Sequence, residues 1–374
     1  MTAGRVSRRP RRLAGPVAMA VLLAVTGCSG SPASRSVPLA AAGTTTALPA
    51  TDPYLMMTGA ADGWAVWPSG GSWILLHTTD RFGHVTNRTP VAVETDGGLV
   101  VSVLPGTAAV AIGAHARLLR SPVLIGTGAS DWMPVELPDA VSATRNGVSV
   151  VGGRLTAVTT AGAVLRRTAT GWMTLTARGA LTTAGRGRLD SVAWASASVG
   201  WVTAHGPAGE PMAFQTSDGG AVWDPVPQTS GATVAALAPC GAAQSWLLPV
   251  IDGAGKLALL RTSDGGHNWT RGSELSVAKG EPAWSCAGDD VWMVASAAGA
   301  DHVFASADRG QAWVDRGPAP ARLTDLALTG KGVGFAASSG KHPTLWSVSH
   351  DGARFTEVPL PAWVATVGAQ APGD

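Results

Sequence analysis

Thr216-Ser217-Asp218-Gly219-Gly220-Ala221-Val222-Trp223 recurs as Thr262-Ser263-Asp264-Gly265-Gly266-His267-Asn268-Trp269 and as Ser306-Ala307-Asp308-Arg309-Gly310-Gln311-Ala312-Trp313. It returns in worn form as Ser349-His350-Asp351-Gly352-Ala353-Arg354-Phe355, and the four aspartates stand 46, 44 and 43 residues apart. Short apolar runs and Gly-rich turns at that period describe one small sheet repeated around an axis, an all-β propeller of four-stranded blades. Within each phrase a Ser or Thr hydroxyl and a carboxylate two positions on can bond the backbone of a tight hairpin, and the glycine supplies a positive φ. The aromatic is expected to fold back over its own hairpin.

Reading outward, each phrase follows two strand-like runs, the second opening with an aromatic: Gly200-Trp201-Val202-Thr203, Ser245-Trp246-Leu247-Leu248, Val291-Trp292-Met293-Val294 and Gly332-Val333-Gly334-Phe335. Upstream, Gly63-Trp64-Ala65-Val66-Trp67 leads to Thr78-Thr79-Asp80-Arg81-Phe82-Gly83, read as the same phrase with one residue inserted. Two further units end near Trp132-Met133-Pro134-Val135 and Trp172-Met173-Thr174-Leu175, without the aspartate. Seven units follow, 51–93, 94–138, 139–180, 187–229, 230–276, 277–319 and 320–362, with six blades as the alternative count. Residues 51–362 are thus the propeller and 363–374 a C-terminal tail. The 15 Trp are read chiefly as blade core, since an aromatic recurring at one place per blade packs. Trp67, Trp73, Trp284, Trp346 and Trp363 fall outside the recurrent positions and are the candidates for a solvent-facing groove.

Residues 1–27 read as an export signal. Arg5, Arg8, Arg9, Arg11 and Arg12 precede an apolar stretch from Leu13 to Val25, and Val25-Thr26-Gly27-Cys28 closes it with small residues before a cysteine. This segment resembles the lipobox of bacterial lipoproteins, which implies acylation of Cys28 and cleavage before it. The alternative is an ordinary secretory signal with Cys28 incidental, and Ser7-Arg8-Arg9 also opens like a twin-arginine signal, although Pro10 and Arg11 break that pattern. Removing the signal takes five Arg and no acid, which turns 27 basic against 25 acidic residues into 22 against 25, or −3. No basic stripe remains for a nucleic acid, and no other apolar run approaches the roughly 20 residues that span a bilayer. The membrane partner is therefore the lipid on Cys28, and residues 28–50, rich in Ser, Ala, Gly, Thr and Pro, read as a flexible tether. A lipid-anchored, extracytoplasmic monomer is expected.

Cys240 and Cys286 are then the remaining thiols, one blade repeat apart at equivalent points of neighbouring blades. In an oxidising compartment a disulfide is favoured over two free buried thiols. No His or Cys stands at ligand spacing beside either, so no metal is expected, and no cofactor.

The Ser/Thr-x-Asp-x-Gly-x-x-Trp phrase resembles the Asp-box, or BNR, repeat. That resemblance implies that the box joins the third and fourth strands of a blade on the rim away from the ligand face, so Asp218, Trp223, Asp264, Trp269, Asp308 and Trp313 are structural. Asp-box propellers include sialidases, whose chemistry uses an arginine triad, a tyrosine nucleophile with its glutamate, and an aspartic acid. Here Asn87-Arg88-Thr89-Pro90 is the nearest match to their arginine segment, it lacks the aromatic, and Tyr54 is the one tyrosine. No other catalytic signature appears, and no catalytic residue is assigned. The cadence Gly-Trp-x-x followed by Thr-x-Asp-Gly-Gly-x-x-Trp is closer to propellers of the photosystem II assembly-factor type and, more distantly, the sortilin type, both of which bind polypeptides. The resemblance covers 187–362 well and 51–186 poorly.

The expected function is a lipoprotein whose propeller binds a protein, peptide or envelope glycan, with an extracytoplasmic glycoside hydrolase as the alternative. Its binding face should lie opposite the boxes, on loops between the second and third strands and between blades. In the clearer blades those loops hold His205, Glu210, Asp252, Lys256, Asp301, His302, Lys341 and His342, any of which could equally be a solvated loop residue.

Overall fold

The computed structural model describes residues 52–89, 99–104, 107–112, 117–121, 133–136, 147–151, 154–159, 162–175, 178–179, 188–205, 211–226, 229, 232–234, 238–240, 245–277, 282–297, 299–330, 332–340, 342–349 and 351–366. These residues form an all-β propeller of seven sheets, antiparallel apart from one short added strand, each drawn from one continuous stretch of chain. Blade 1 comprises Tyr54–Met57, Gly63–Ser69, Ser72–Thr78 and Thr86–Asn87; blade 2 comprises Leu99–Leu104, Thr107–Ile112, Arg117–Ser121 and Met133–Glu136. Blade 3 comprises Val148–Val151, Arg154–Val158, Val164–Thr168 and Gly171–Leu175; blade 4 comprises Arg188–Trp194, Gly200–His205, Pro211–Thr216 and Val222–Pro225. In blade 5 two short pieces, Thr233–Val234 and Ala238–Pro239, replace the first strand, followed by Trp246–Ile251, Lys256–Thr262, Thr270–Arg271 and Leu275–Ser276. Blade 6 runs through Ala283–Ala287, Asp290–Ala297, Ala300–Ser306 and Val314–Pro318, and blade 7 through Leu323–Gly330, Val333–Ser338, Leu345–Ser349 and Arg354–Val358.

The middle strands are apolar on both faces because each sheet is sandwiched between two others. All six residues of Trp246–Ile251 are buried, while the outer strand Arg354–Val358 has no buried residue. A strand covered on both sides reads as a continuous apolar run, and one at the perimeter does not. The core accordingly lies between blades. Val158, Val164 and Leu175 of blade 3 pack with Trp194, Phe214 and Trp223 of blade 4, and Trp201 of blade 4 meets Trp246 of blade 5 with ring centroids 4.2 Å apart. Of the Trp outside the recurrent positions, Trp67 is buried between blades 1 and 7, and Trp284 and Trp363 pack half-buried against interblade clusters.

First strands of successive blades lie side by side and so line the axis. Backbone-directed side chains fasten them: Val101 N–H donates to Tyr54 Oη at 2.6 Å, and Leu328 N–H donates to Ser285 Oγ at 2.9 Å. Among the described residues the ring closes without strand exchange. Leu55 N–H of blade 1 donates to Asp325 Oδ2 of blade 7 at 2.6 Å, and Thr324 Oγ1 donates to Pro53 O at 3.0 Å. Phe82 and Phe335 meet edge to face across the same seam, and a short 3-10 turn, Ala362–Ala365, buries Val364 in its core. Blade 4 gains a fifth strand, Arg178–Gly179, which pairs in parallel with its outer strand.

Cys240 and Cys286 form a disulfide with Cα atoms 5.6 Å apart, joining blades 5 and 6. The stretches 1–50 and 367–374 lie outside the described residues, so the Cys28 lipobox and the tether remain expectations from the sequence.

Candidate functional site

The repeated phrase forms the turn from third to fourth strand in blades 1, 4, 5 and 6, with one set of bonds. Thr262 Oγ1 donates to Asp264 Oδ1 at 2.7 Å and accepts Gly266 N–H at 2.9 Å, and Asp264 Oδ1 accepts Asn268 N–H at 3.0 Å. Thr216, Ser306 and Thr78 make the equivalent bonds with Asp218, Asp308 and Asp80. Two consecutive residues take a positive φ in each turn: Gly265 and Gly266 at 74° and 96°, Gly219 and Gly220 at 80° and 93°.

The blade 1 turn corrects the expected insertion. Arg81 and Phe82 carry the positive φ, at 64° and 63°, and Phe82 N–H bonds Thr78 Oγ1 as the glycines do elsewhere. Phe82 therefore stands at the glycine position, Val85 at the Trp position, and nothing is inserted. The cost of a bulky residue in the left-handed region is offset by its burial against Phe335. The worn turn of blade 7 is shorter instead: Ser349 pairs with Arg354, whereas His77 and Thr86 or Arg261 and Thr270 flank a longer loop.

Nor does the aromatic simply cover its own hairpin. Trp269 Nε1 donates to Gln215 Oε1 of blade 4 at 3.1 Å, and Trp313 Nε1 donates to Ser273 O of blade 5 at 3.2 Å. Arg166 of blade 3 donates to Gly219 O at 2.9 Å. Each turn is thus docked on the preceding blade, and Oδ1 of Asp218, Asp264 and Asp308 is engaged within its own turn.

Those bonds stabilise the ionised carboxylates. The backbone N–H and side chain of Asn268, with the Thr262 hydroxyl, hold Asp264 at about 2, and His84 N–H does the same for Asp80. Asp218 is lowered chiefly by Val222 N–H; for Asp308 burial pushes upward, but Ala312 N–H and the Ser306 hydroxyl outweigh it. A carboxyl whose folded pKa lies below its unfolded value of about 3.9 contributes stability above that pH and loses it as pH falls through the folded value. The melting temperature should therefore drop between about pH 4 and pH 2, and Asp264→Asn should flatten part of that drop. An identical pH slope in the variant, measured by scanning calorimetry, would show that the turns do not carry the acid sensitivity.

The other end of each third strand carries the sequence-derived face. Lys256–Thr262 spans about 20 Å at 3.3 Å per residue, with the repeated turn at Thr262 and the expected ligand loop before Lys256. Asp252 there accepts Ala254 N–H and Lys256 N–H at 2.9 Å each, so it caps its turn, and its other oxygen lies 3.7 Å from Arg271. Lys256 Nζ donates to Ser276 Oγ at 2.5 Å. Asp301 accepts from Ser296 Oγ, and His302 Nδ1 lies 3.0 Å from Asp315 Oδ2 on the outer strand. His205 Nδ1 lies 2.5 Å from Asp190 Oδ2. His342 is exposed in the loop before Leu345–Ser349, and Glu210 and Lys341 lie outside the described residues. Asp190 was invisible to loop-based reading because it sits on a first strand. Tyr54 is buried with its hydroxyl on the Val101 backbone.

The chain matches no described protein family and no curated protein. Its fold does match solved structures. YCF48 bound to D1 peptide aligns over 80% of this chain and 93% of that one, with a TM-score of 0.55 and 20% identity. YCF48 from Cyanidioschyzon merolae aligns over 80% and 92%, with a TM-score of 0.50 and 18% identity. A structure from a study of two prolyl endopeptidases aligns over 82% of this chain but only 49% of its own, with a TM-score of 0.58 and 11% identity. At such identities the likeness is one of fold, and it is that of a β-propeller.

Proposed function

We propose that this chain is an extracytoplasmic lipoprotein, held to the membrane through Cys28, whose propeller binds a polypeptide in a scaffolding or assembly role. The observation that carries the reading is the division of labour along the third strands. One end is docked on the neighbouring blade, while the other sets charged side chains in loops of one face, where they bond residues of their own blade. Support for a polypeptide comes from the similar fold of YCF48, which was captured with a D1 peptide. The repeated turns are read as Asp-boxes with a structural role, and Asp252, Lys256, Asp301 and His205 as parts of the binding face.

Two variants separate rim from face. Asp264→Ala removes the carboxylate that accepts Asn268 N–H and the Thr262 hydroxyl, and should cost about 1 to 2 kcal/mol in denaturant unfolding. It should leave polypeptide capture from envelope extract within a few fold. Lys256→Glu should barely alter unfolding but weaken capture of an acidic partner. Capture abolished by Asp264→Ala in a stably folded protein would put the face on the wrong side of the ring. Anchoring is tested separately: Cys28→Ala should abolish labelling with a radioactive fatty acid and release the protein from the lipoprotein fraction, and labelling that survives would reject the anchor.

A further inference from the structure

His77 lies on the third strand of blade 1, one residue before the repeated turn, and is only 6% exposed. Its ring rests against Trp64 of the neighbouring strand with centroids 4.2 Å apart, and its Nε2 is buried without a hydrogen-bond partner. Asp62 Oδ2 stands 3.6 Å away, beyond hydrogen-bond length, while Asp62 Oδ1 accepts the Thr58 hydroxyl. A buried imidazole with no acceptor is tolerated neutral and costly when charged.

Burial accordingly holds His77 below the usual histidine value of about 6.5; Asp62 acts upward and Arg88 further downward. Among the described residues these two are the charged groups that act on the ring, one from the loop between the first two strands and one from beyond the outer strand. The other titratable side chains of this turn, Asp80 and the exposed His84, bond each other, with His84 Nδ1 2.5 Å from Asp80 Oδ2.

Asp62 ends a loop that supports the turn. Ala61 O accepts Arg81 N–H at 3.0 Å, and Ala60 O accepts Arg81 Nε at 3.0 Å. Arg81 and Phe82 hold the left-handed backbone that non-glycine residues resist, at φ 64° and 63°, so the turn persists only while its surroundings sustain it. Phe82 meets Phe335 of blade 7 at 5.1 Å across the ring seam. A charge on His77 thus reaches the ring closure through Asp62, the carbonyls of Ala60 and Ala61, and the Arg81–Phe82 turn.

We infer that His77 is an acid-sensitive latch on the ring seam: on taking up a proton its ring draws Asp62 off Thr58, shifts the loop that ends at Asp62 and loosens the Arg81–Phe82 turn from blade 7. The device is independent of what the propeller binds. A histidine whose folded value lies below its unfolded one contributes its stability in full above about pH 6.5, and that contribution is lost as pH falls through the folded value. The turn carboxylates respond separately, below about pH 4.

The test is a titration of the full-length protein in detergent from about pH 7.5 to about pH 4.5, with 15N-labelled histidine, urea unfolding, and hydrogen exchange of residues 79–84 corrected for the intrinsic rate. The His77 signal, assigned by its loss in His77→Phe, should be that of a neutral ring at about pH 7 and should titrate below about 6.5. As it protonates, the urea midpoint should fall and exchange in 79–84 should quicken. In His77→Phe, which keeps a ring on Trp64 but cannot charge, both should stay level over that range. Asp62→Asn should deepen the fall and Arg88→Met should soften it, because the first removes the group that favours the charged ring and the second the group that opposes it. An equal fall in His77→Phe would place the acid response elsewhere and overturn the latch. Protonation of His77 that leaves exchange in 79–84 unchanged would do the same. Should His77→Phe fail to fold, a fall altered in the same direction by Asp62→Asn and Arg88→Met would reject the latch, and opposite directions would support it.

Discussion

Trp223→Ala should lower the stability of the propeller by about 3 to 5 kcal/mol, the cost of deleting a large aromatic from a core that cannot fully collapse. Trp223 is fully buried, edge to face with Trp194 at 5.9 Å, and packs with Val158, Val164 and Leu175 of the preceding blade. Trp313 occupies the same place in the repeat but is only half-buried and bonds Ser273 O. Trp313→Ala should therefore cost markedly less, on the order of 1 to 2 kcal/mol, mostly a hydrogen bond and partial burial. Paired urea titrations decide the matter. Equal losses at the two positions would mean that the repeat position, rather than the interblade packing around it, sets the energetics.

Reduction of Cys240–Cys286, or its replacement as Cys240→Ala with Cys286→Ala, should cost about 2 to 4 kcal/mol through the freed chain entropy of a loop of 46 residues. The loss should be felt first at blade 5, where the first strand consists of two two-residue pieces and the bridge supplements sparse pairing to the neighbouring blade. Hydrogen exchange should show faster opening of 233–234, 238–240 and 283–287 than of the ring seam at Leu55 and Asp325. Uniform loss of protection around the ring would assign the bridge a global rather than local role.

Thr216, Thr262 and Ser306 were legible as turn formers because their bonds are local, reaching residues two and four positions on. Gly-rich turns with apolar runs at blade period likewise carried the fold class, since each blade is built from consecutive strands. The spacing of Cys240 and Cys286 was legible for the same reason, as equal offsets in a repeat become neighbours in a ring. Phe82 was misread as part of an insertion because its left-handed backbone is sustained by Phe335, a residue of the last blade.

What the sequence determined by itself was the architecture, the local turn chemistry and the side of the ring on which charged loops lie. Tertiary structure alone decided how blade 7 meets blade 1 through Asp325 and Leu55, that Trp269 and Trp313 fasten one blade to the one before, and that a bulge hands Asp190 to His205. The division follows from range. A hydrogen bond within four residues is written in the spelling of the segment, but a contact across a seam depends on register and ring closure, which no window of sequence contains.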